Sequence, residues 1–413
     1  MNRFEIPLDI ENVKIEQVEF TQDNEIIITV TSTLESTFCH RCGKEIHDFY
    51  GYSREIELRH LSILGRPTYL RIKPKRYRCP YCQDHPTTTQ KLGWYDPRSR
   101  HTKAYETQVL LSLVNSTVSD VSRKEGLGYE AVMGIIDRQV SREVNWNEFQ
   151  DVEIVGLDEI ALKKGHQDYV TIVTARLANG TKRVVAVLKD RQKATVKEFF
   201  LSIPKHLRKT IRVVCTDLYD GYVNAAKEVL GRKVRIVVDR FHVAKLYRKG
   251  LDEVRKKEVK RLKEELPAET YNEFKGVMWL LRKNPEALEP EELDTLKKLF
   301  KYTPLLGTVY VFCYTLTGIF EQPLTKAEGR RQLRAWKELV KKSGLSCFDR
   351  FLKTLDEWMD EITNYFVDRH SSGFVEGLNN KIKVVKRRCY GILNIGHFFQ
   401  RLFIDLRGYE EFA

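Results

Sequence analysis

Long apolar runs are scarce in this sequence of 413 residues. The first twenty residues contain acidic side chains and no unbroken apolar core, so we expect neither a signal peptide nor a transit peptide. The best candidate for a membrane span is the stretch of nineteen uncharged residues from Tyr302 to Phe320, which includes Pro304, Gly307 and Gly318. A buried helix of a soluble domain fits this composition better than a bilayer span. We therefore expect a cytoplasmic protein with no membrane contact.

Glycine-rich phosphate-binding loops are also missing. Neither a Gly-x-Gly-x-x-Gly motif nor a P-loop follows any predicted strand, which argues against the nucleotide-binding versions of an α/β fold. Basic residues outnumber acidic ones, with 70 Lys and Arg compared with 57 Asp and Glu, and the formal net charge is +13. This excess indicates a polyanionic partner.

Cysteine is sparse except for two identically spaced pairs. Four of the eight cysteines are single and lie among apolar neighbours, while Cys39 and Cys42 form one C-x-x-C motif and Cys79 and Cys82 form another. Disulfides are uncommon in the cytoplasm. Each motif brings two thiolates to the separation that one tetrahedral ion needs, so two motifs predict a four-cysteine structural zinc site. A redox motif is the alternative reading of a single pair.

The spacer between the two cysteine pairs is longer than in common zinc ribbons. Residues 55–78 have the pattern of paired strands, which would bring the two pairs together. His40 and His85 are alternative zinc ligands. A basic run precedes the second pair, and we expect Arg76 and Arg78 in this run to contact DNA phosphates.

A helical pattern follows between residues 103 and 144. Apolar residues recur with helical spacing over residues 105–113, 118–125 and 130–144, and Gly126 and Gly128 separate the last two segments. Three short helices with a glycine turn before the last are typical of a helix-turn-helix. A packing module without DNA contacts is the alternative.

The central part of the chain has an α/β pattern. The predicted elements are three strands at 153–162, 168–177 and 181–188, a helix at 194–201, a strand at 211–217, a helix at 221–230 and a strand at 234–239. Three antiparallel strands followed by alternating helices and strands predict a mixed sheet with the fourth strand beside the first. This is the pattern of a ribonuclease-H-like fold.

Two of these strands carry acids. The first strand carries Asp158, on the same face as Ile154 and Gly156, and Asp217 ends the fourth. Carboxylates on adjacent buried strands repel one another and lose hydration, and a divalent cation between them would offset both effects. Because carboxylate oxygens are hard ligands, the pair predicts Mg²⁺ rather than zinc.

A third acid lies in a basic segment near the end of the sequence. Residues 371–391 predict an amphipathic helix that places Glu376, Asn380, Lys383 and Arg387 on one polar face. Taken alone, Glu376 could be a first-turn residue favoured by the helix dipole. Together with the two aspartates it would complete a metal site, and its basic neighbours would then contact a nucleic-acid backbone.

These residues resemble a known family, the DDE-type transposases of bacterial insertion sequences, in the subgroup with an N-terminal zinc-binding segment and a helical insertion before the catalytic Glu. The matching blocks are the two cysteine pairs, Gly156-Leu-Asp158-Glu159, Cys215-Thr-Asp217, Asp239-Arg-Phe-His242-Val243 and the segment from Ser371 to Lys383. The resemblance covers essentially the whole chain. It implies that Asp158, Asp217 and Glu376 bind two Mg²⁺ or Mn²⁺ ions and catalyse DNA cleavage and strand transfer. Asp239 and His242 lie in one of the matching blocks as well, and they would hold the metal-binding acids in position, with a role in the fold or in DNA contact as the alternative.

The expected architecture is a multidomain α/β protein. We expect a zinc-ribbon-like DNA-binding segment at 1–95, a helix-turn-helix at 96–150, a ribonuclease-H-like catalytic domain at 151–250 and 369–413, and an all-helical insertion at 251–368. The expected partners are double-stranded DNA, as transposon ends and target, and a second copy of the chain, since two ends must be paired. This implies a bacterial protein associated with the nucleoid. A non-catalytic DNA-binding regulator and a structure-selective nuclease on the same fold are the alternatives.

Overall fold

The computed structural model describes residues 8–162, 169–231, 233–370 and 373–413, except for the side chains of residues 373–376. The chain forms two compact units. The first contains the chain up to Val140 together with Phe403–Ala413, and the second is Ser141–Leu402.

The first unit begins with short strands: β1 (Val13–Phe20), β2 (Ile26–Ser32), β3 (Thr37–Phe38), β4 (Glu45–Ile46), β5 (Asp48–Tyr52), β6 (Ile56–Ile63), β7 (Arg66–Ile72), β8 (Lys75–Arg78) and β9 (Thr87–Thr89). Four of them form a sheet in the order β1-β2-β7-β6. Every second residue of β2 is buried, and Ile26, Ile28 and Val30 pack with Leu70 and Ile72. This alternation is what a strand with one buried face requires.

The other strands of this unit surround the cysteine pairs. β3 pairs with β4, and β5, β8 and β9 form a second small sheet. Asp48 in β5 lies opposite Arg78 in β8, so the two ends of the long spacer meet. The prediction that paired strands close this spacer is confirmed.

Three helices follow: α1 (Lys103–Leu113), α2 (Val118–Glu125) and α3 (Tyr129–Gln139). The side chain of Thr117 caps α2, and Gly126 ends it in a left-handed conformation at φ +64°. The prediction that the third helix continues to residue 144 is wrong, because Val140 is already extended at φ −119°. Val140 is only 3% exposed, so a buried apolar residue follows the end of the helix at the position where the helical pattern would place one. This is why the pattern predicted a longer helix.

The end of the chain belongs to this first unit. Ile404 is buried in the core of α1, α2 and α3, and Asp405 Oδ1 accepts a hydrogen bond of 2.8 Å from the backbone amide of Asn115. The predicted catalytic segment 369–413 is therefore divided, because its last eleven residues pack on the three-helix core. The first unit also ends at Val140, ten residues before the predicted boundary at residue 150.

The second unit contains a five-stranded sheet with flanking helices. Its elements are β10 (Ile154–Ala161), β11 (Tyr169–Arg176), β12 (Lys182–Leu188), α4 (Lys193–Ser202), α5 (Lys205–Arg208), β13 (Val213–Thr216), α6 (Asp220–Leu230) and β14 (Arg235–Val238). The strand order is β12-β11-β10-β13-β14. The first three strands are antiparallel, and β13 and β14 continue the sheet in parallel from β10. The predicted mixed sheet, with the fourth strand beside the first, is confirmed.

Helices occupy the chain between this sheet and residue 370. They are α7 (Arg240–Glu265), α8 (Ala268–Asn272), α9 (Val277–Leu280), α10 (Pro290–Tyr302), α11 (Pro304–Glu321), α12 (Lys326–Ser343), α13 (Asp349–Glu357), α14 (Met359–Thr363) and α15 (Tyr365–Asp368). They share one apolar core, in which Leu316, Trp336 and Phe348 are buried. α11 is long and apolar enough to cross a bilayer, but its Leu306, Leu316 and other apolar residues pack in this core.

Two helices complete the described chain, α16 (Gly373–Arg388) and α17 (Ile395–Phe412). The buried side of α16 carries Ile382 and Val385, which are at most 1% exposed. Gly391, the last residue of the predicted helix 371–391, has φ +98° and lies three residues after the observed end of α16. The predicted N-terminal part of the helix at residues 371 and 372 lies outside the described residues.

Candidate active site and zinc centre

Three aspartates lie at the same level of three neighbouring parallel strands. Gly156 in β10 is opposite Cys215 in β13, so Asp158 and Asp217 each follow two residues later. The pairing of β13 with β14 in turn places Asp239 level with Asp217. Asp217 and Asp239 directly follow the carboxyl ends of β13 and β14, and Asp158 lies within β10 at the same level, so the three acids form one row across the sheet.

His242 lies between two of these acids. Asp239 is the N-cap of α7, and its Oδ1 accepts a hydrogen bond of 3.1 Å from the amide of Phe241. The first turn of α7 brings His242 Nδ1 to 2.9 Å from Asp217 Oδ1 and 3.2 Å from Asp239 Oδ2. These hydrogen bonds raise the pKa of His242 to about 10, so the imidazole is protonated at neutral pH.

Asp158 is partly buried within β10. Burial and the nearby carboxylate of Asp217 raise the pKa of Asp158 to about 6, while His242 and Lys383 oppose this rise. Its Oδ1 accepts a hydrogen bond of 2.7 Å from the amide of Glu159. Its Oδ2 accepts a hydrogen bond from Asn379 Nδ2.

The remaining predicted residues of this site lie on α16. Asn380, Lys383 and Arg387 are exposed, as a DNA-contacting face requires. Glu376 is within the helix, but its side chain lies outside the described residues. Sequence reasoning missed Asn379, which is only 2% exposed. The sequence signal that could have identified Asn379 is its position as a polar residue beside the apolar stripe of the helix.

The arrangement has the donors that a divalent cation needs. One carboxylate oxygen of Asp217 and one of Asp239 lie within 4.8 Å of one another, with the protonated imidazole of His242 between them. Asp158 adds a carboxylate at the same level of the sheet. Hard oxygen donors in a row where acids repel one another suit Mg²⁺ or Mn²⁺.

The four predicted zinc ligands form a separate cluster in the first unit. The sulfur atoms of Cys39, Cys42, Cys79 and Cys82 all lie within 4.8 Å of one another, with Cys39 4.0 Å from Cys82 and Cys42 3.7 Å from Cys79. Zinc–sulfur bonds of 2.3 Å in a tetrahedron imply sulfur separations of about 3.8 Å. The cluster therefore fits a zinc ion.

The surroundings of the sulfur cluster also favour this assignment. Backbone amides of Cys42 and Arg41 lower the pKa of Cys39 to about 6, which favours a thiolate there, whereas burial and the neighbouring thiols raise the pKa of Cys82 to about 12. A bound cation would stabilise thiolates at all four positions. The two alternative ligands are engaged elsewhere, because His40 Nδ1 lies 2.9 Å from Thr88 Oγ1 and His85 Nδ1 lies 3.0 Å from the carbonyl oxygen of Cys79.

Arg76 and Arg78 lie on β8 beside this cluster. Both guanidinium groups are close to the ring of Tyr50, at 5.8 Å and 5.9 Å from its centroid. Arg78 also forms an ion pair of 2.8 Å with Asp48. Arg76 donates a hydrogen bond of 2.5 Å to Thr87 Oγ1.

Three family models match successive parts of the chain. Residues 35–82 match the zinc finger of transposase IS204/IS1001/IS1096/IS1165, residues 90–140 match the helix-turn-helix domain of transposase family ISL3, and residues 155–402 match the DDE transposase model of ISL3. The last of these alone covers more than half of the chain.

The chain belongs to the ISL3 family of DDE transposases. As a member, this transposase binds DNA through a helix-turn-helix and is a DNA-cleaving, strand-transferring enzyme. The zinc ribbon, the helix-turn-helix and the transposase function predicted from the sequence are confirmed.

Curated relatives of the transposase are similar over nearly its full length. The transposase for insertion sequence element IS1001 of Bordetella parapertussis is 26% identical over 396 residues, which cover 94% of each chain. The transposase for insertion sequence element IS1557 of Mycobacterium tuberculosis is 23% identical, over 91% of this chain and 88% of the relative.

The structural alignment with a solved structure, the Drosophila P element transposase strand transfer complex, covers 77% of this chain and 94% of the Drosophila chain. The sequence identity is 11% and the TM-score is 0.42, a likeness too low to support a conclusion.

Proposed function

We propose that this protein is the transposase of a bacterial insertion sequence and that Asp158, Asp217 and Glu376 are its catalytic acids, on a ribonuclease-H-like domain with an all-helical insertion. The observation that supports this most is the alignment of Asp158 and Asp217 at one level of the sheet. Burial first, and then the nearby carboxylate of Asp217, raise the pKa of Asp158 to about 6. A cation is the group that such a site lacks.

The position of Glu376 in α16 supports its place as the third acid. Glu376 precedes Asn379 by three residues, which corresponds to about 4.5 Å along a helix axis. Asn379 donates a hydrogen bond to Asp158, so α16 contacts the first acid within one turn of Glu376. A glutamate side chain can reach across such a distance.

The proposed cofactors are two Mg²⁺ or Mn²⁺ ions and one structural Zn²⁺. Bound at the three acids, the Mg²⁺ or Mn²⁺ ions would supply Lewis-acid stabilisation of the attacking and leaving oxygens of a phosphodiester. The chain itself fixes the carboxylates. His242 holds Asp217 in one orientation, and Asp239 holds His242. Cys39, Cys42, Cys79 and Cys82 would bind the zinc.

DNA contacts are proposed on two surfaces. Asn380, Lys383 and Arg387 form the exposed face of α16 beside the acids, so the scissile backbone would lie along this face. Arg76 and Arg78 form a second basic surface beside the zinc cluster. With the helix-turn-helix, this second surface would recognise element ends.

The proposed assembly is a homodimer, because transposition joins two ends of one element to a target. A protein that acts on chromosomal and element DNA would be found in the bacterial cytoplasm, at the nucleoid. The net charge of +13 is consistent with this polyanionic partner.

The test uses purified protein, Mg²⁺ and labelled DNA carrying the terminal inverted repeats that border the gene. We expect cleavage at the 3′ ends and joining to a target by the wild type. Asp158→Asn should abolish both and leave end binding intact, whereas the control Asp294→Asn, an exposed acid on α10, should retain both. Cleavage by Asp158→Asn at the wild-type rate would contradict the proposed site.

A further inference from the structure

Of the two hydrogen-bonding atoms in the Asn379 side chain, one has a partner among the described residues and one has none. It is only 2% exposed, and its Nδ2 donates to Asp158 Oδ2. Its Oδ1 is buried and has no hydrogen-bond partner among the described residues. Buried polar atoms in proteins are usually hydrogen-bonded, so Oδ1 of Asn379 is available to a donor that enters the site beside the proposed metal-binding acids.

A second contact shows how α16 lies along β10. Two turns later on α16, Lys386 Nζ donates to the carbonyl oxygen of Ala161, three residues beyond Asp158 in β10. Asn379 and Lys386 are separated by a rise of about 10.5 Å along the helix, and Asp158 and Ala161 by about 10 Å along the strand. Both contacts therefore fit one parallel alignment of α16 with β10. Between them, Ile382 is completely buried.

The hydrogen bonds of Asp158 leave room for a cation. One of its oxygens accepts from the amide of Glu159 and the other from Asn379. Each carboxylate oxygen can accept twice, so each retains one lone pair after these bonds form. The two donors lie on different elements, β10 and α16, and together they prevent the carboxylate from rotating.

We propose that Asn379 is a positioning residue, which orients Asp158 for metal binding through Nδ2 and presents Oδ1 to a hydroxyl donor in the site, the attacking water or the DNA 3′-hydroxyl. This inference rests on the proposed role of Asp158 as a metal ligand. A neutral amide suits the task, since an acid here would add charge to a row that already contains Asp158, Asp217 and Asp239. A lysine would instead compete with the cation.

The test measures Mn²⁺ binding to the zinc-loaded full-length protein, with free Mn²⁺ counted by electron paramagnetic resonance. Loss of a side chain that orients a metal ligand typically weakens metal binding by about 10- to 100-fold. We expect Asn379→Ala to weaken Mn²⁺ binding by at least tenfold. The matched control Lys386→Met removes a second side-chain hydrogen bond between α16 and β10, and it should leave Mn²⁺ affinity unchanged.

Two results would overturn the proposal. Mn²⁺ affinity of Asn379→Ala equal to that of the wild type would show that Asp158 does not need this contact. Equal weakening by Asn379→Ala and Lys386→Met would show that Asn379 only attaches α16 to the sheet. If Asn379→Ala fails to fold, Asn379→Leu, which fills the space without a donor, takes its place with the same expectation.

A different result is expected if the proposed role of Asp158 as a metal ligand is itself wrong. If Asp158 does not bind metal, Asp158→Asn binds Mn²⁺ as tightly as the wild type, and the proposed site itself is wrong. If Asp158→Asn loses Mn²⁺ while Asn379→Ala retains it, the site stands and the role of Asn379 alone is refuted.

Discussion

The Nδ1 atom of His242 lies 2.9 Å from Oδ1 of Asp217, a metal ligand in the proposed site. The imidazole also contacts Asp239 at 3.2 Å, so a positive charge lies between two acids of adjacent strands. Opposite charges at this distance offset the repulsion between the carboxylates. His242 therefore connects the start of α7 to the site, and it orients Asp217.

Replacing His242 tests this connection. His242→Ala should lower the rate of end cleavage by about 10- to 100-fold, because Asp217 loses the group that orients it. The Mg²⁺ concentration for half-maximal cleavage should rise as well. His206→Ala, at an exposed position on α5, is the control. Unchanged Mg²⁺ dependence in His242→Ala would show that the histidine does not act on a metal ligand.

Zinc content tests the cysteine cluster. The wild type should contain one zinc per chain, and Cys79→Ser should lose it, since Cys79 is fully buried in the cluster. Hydrogen exchange in residues 36–90 should accelerate in the same variant, because folding of such segments is coupled to the metal. Cys347→Ser, outside the cluster, should retain zinc. A zinc-free wild type with slow exchange there would contradict this assignment.

Stability of the helix-turn-helix should depend on pH through Glu106. Burial raises the pKa of Glu106, but the nearby imidazole of His101 and hydrogen bonds from Arg138, Gln139 and Ser99 outweigh this effect and lower the pKa to about 2. A lowered folded-state pKa gives stability that is present above the unfolded value of 4.5 and is lost as the pH falls towards 2.

Glu106→Gln removes this dependence. We expect the variant to be less stable at pH 7 by about 1–3 kcal/mol, because Arg138 and its neighbours lose a charged acceptor. The difference from the wild type should shrink between pH 4.5 and pH 2. Thermal unfolding monitored by circular dichroism measures the stability difference at pH 7 and its change with pH. A difference between variant and wild type that stays constant with pH would refute the mechanism.

Salt dependence tests the exposed face of α16. Each phosphate contact contributes about 0.9 to the slope of log affinity against log salt concentration on duplex DNA. Lys383→Ala should reduce the slope for end binding by about this amount. Lys353→Ala, an exposed lysine on α13, should not change it. Equal slopes for both variants would place DNA away from α16.

Much of the fold follows from local patterns in the sequence. The strands of the central sheet were predictable because their apolar residues form runs bounded by turns, as at Gly180, which has φ +84°. β1 was missed, since the pairing of β1 with β2 shifts register between Ile15 and Gln17, and this bulge interrupts the alternation. Several of its residues are also exposed, which weakens the apolar signal.

The site was predictable only where strand ends carry acids. The alignment of Asp158 with Asp217 follows from strand order, which the pattern of elements indicates. Asn379 could not be predicted, because its role depends on how α16 lies against β10, a contact between positions 221 residues apart. The role of His242 likewise depends on the angle at which α7 leaves β14, and no local spacing encodes that angle.

The most direct test of the central claim is the anomalous signal of Mn²⁺ in a crystal of the protein bound to its DNA ends. The account predicts manganese within coordination distance of the carboxylates of Asp158, Asp217 and Glu376. Manganese bound elsewhere, with the Glu376 carboxylate remote from both aspartates, would contradict it.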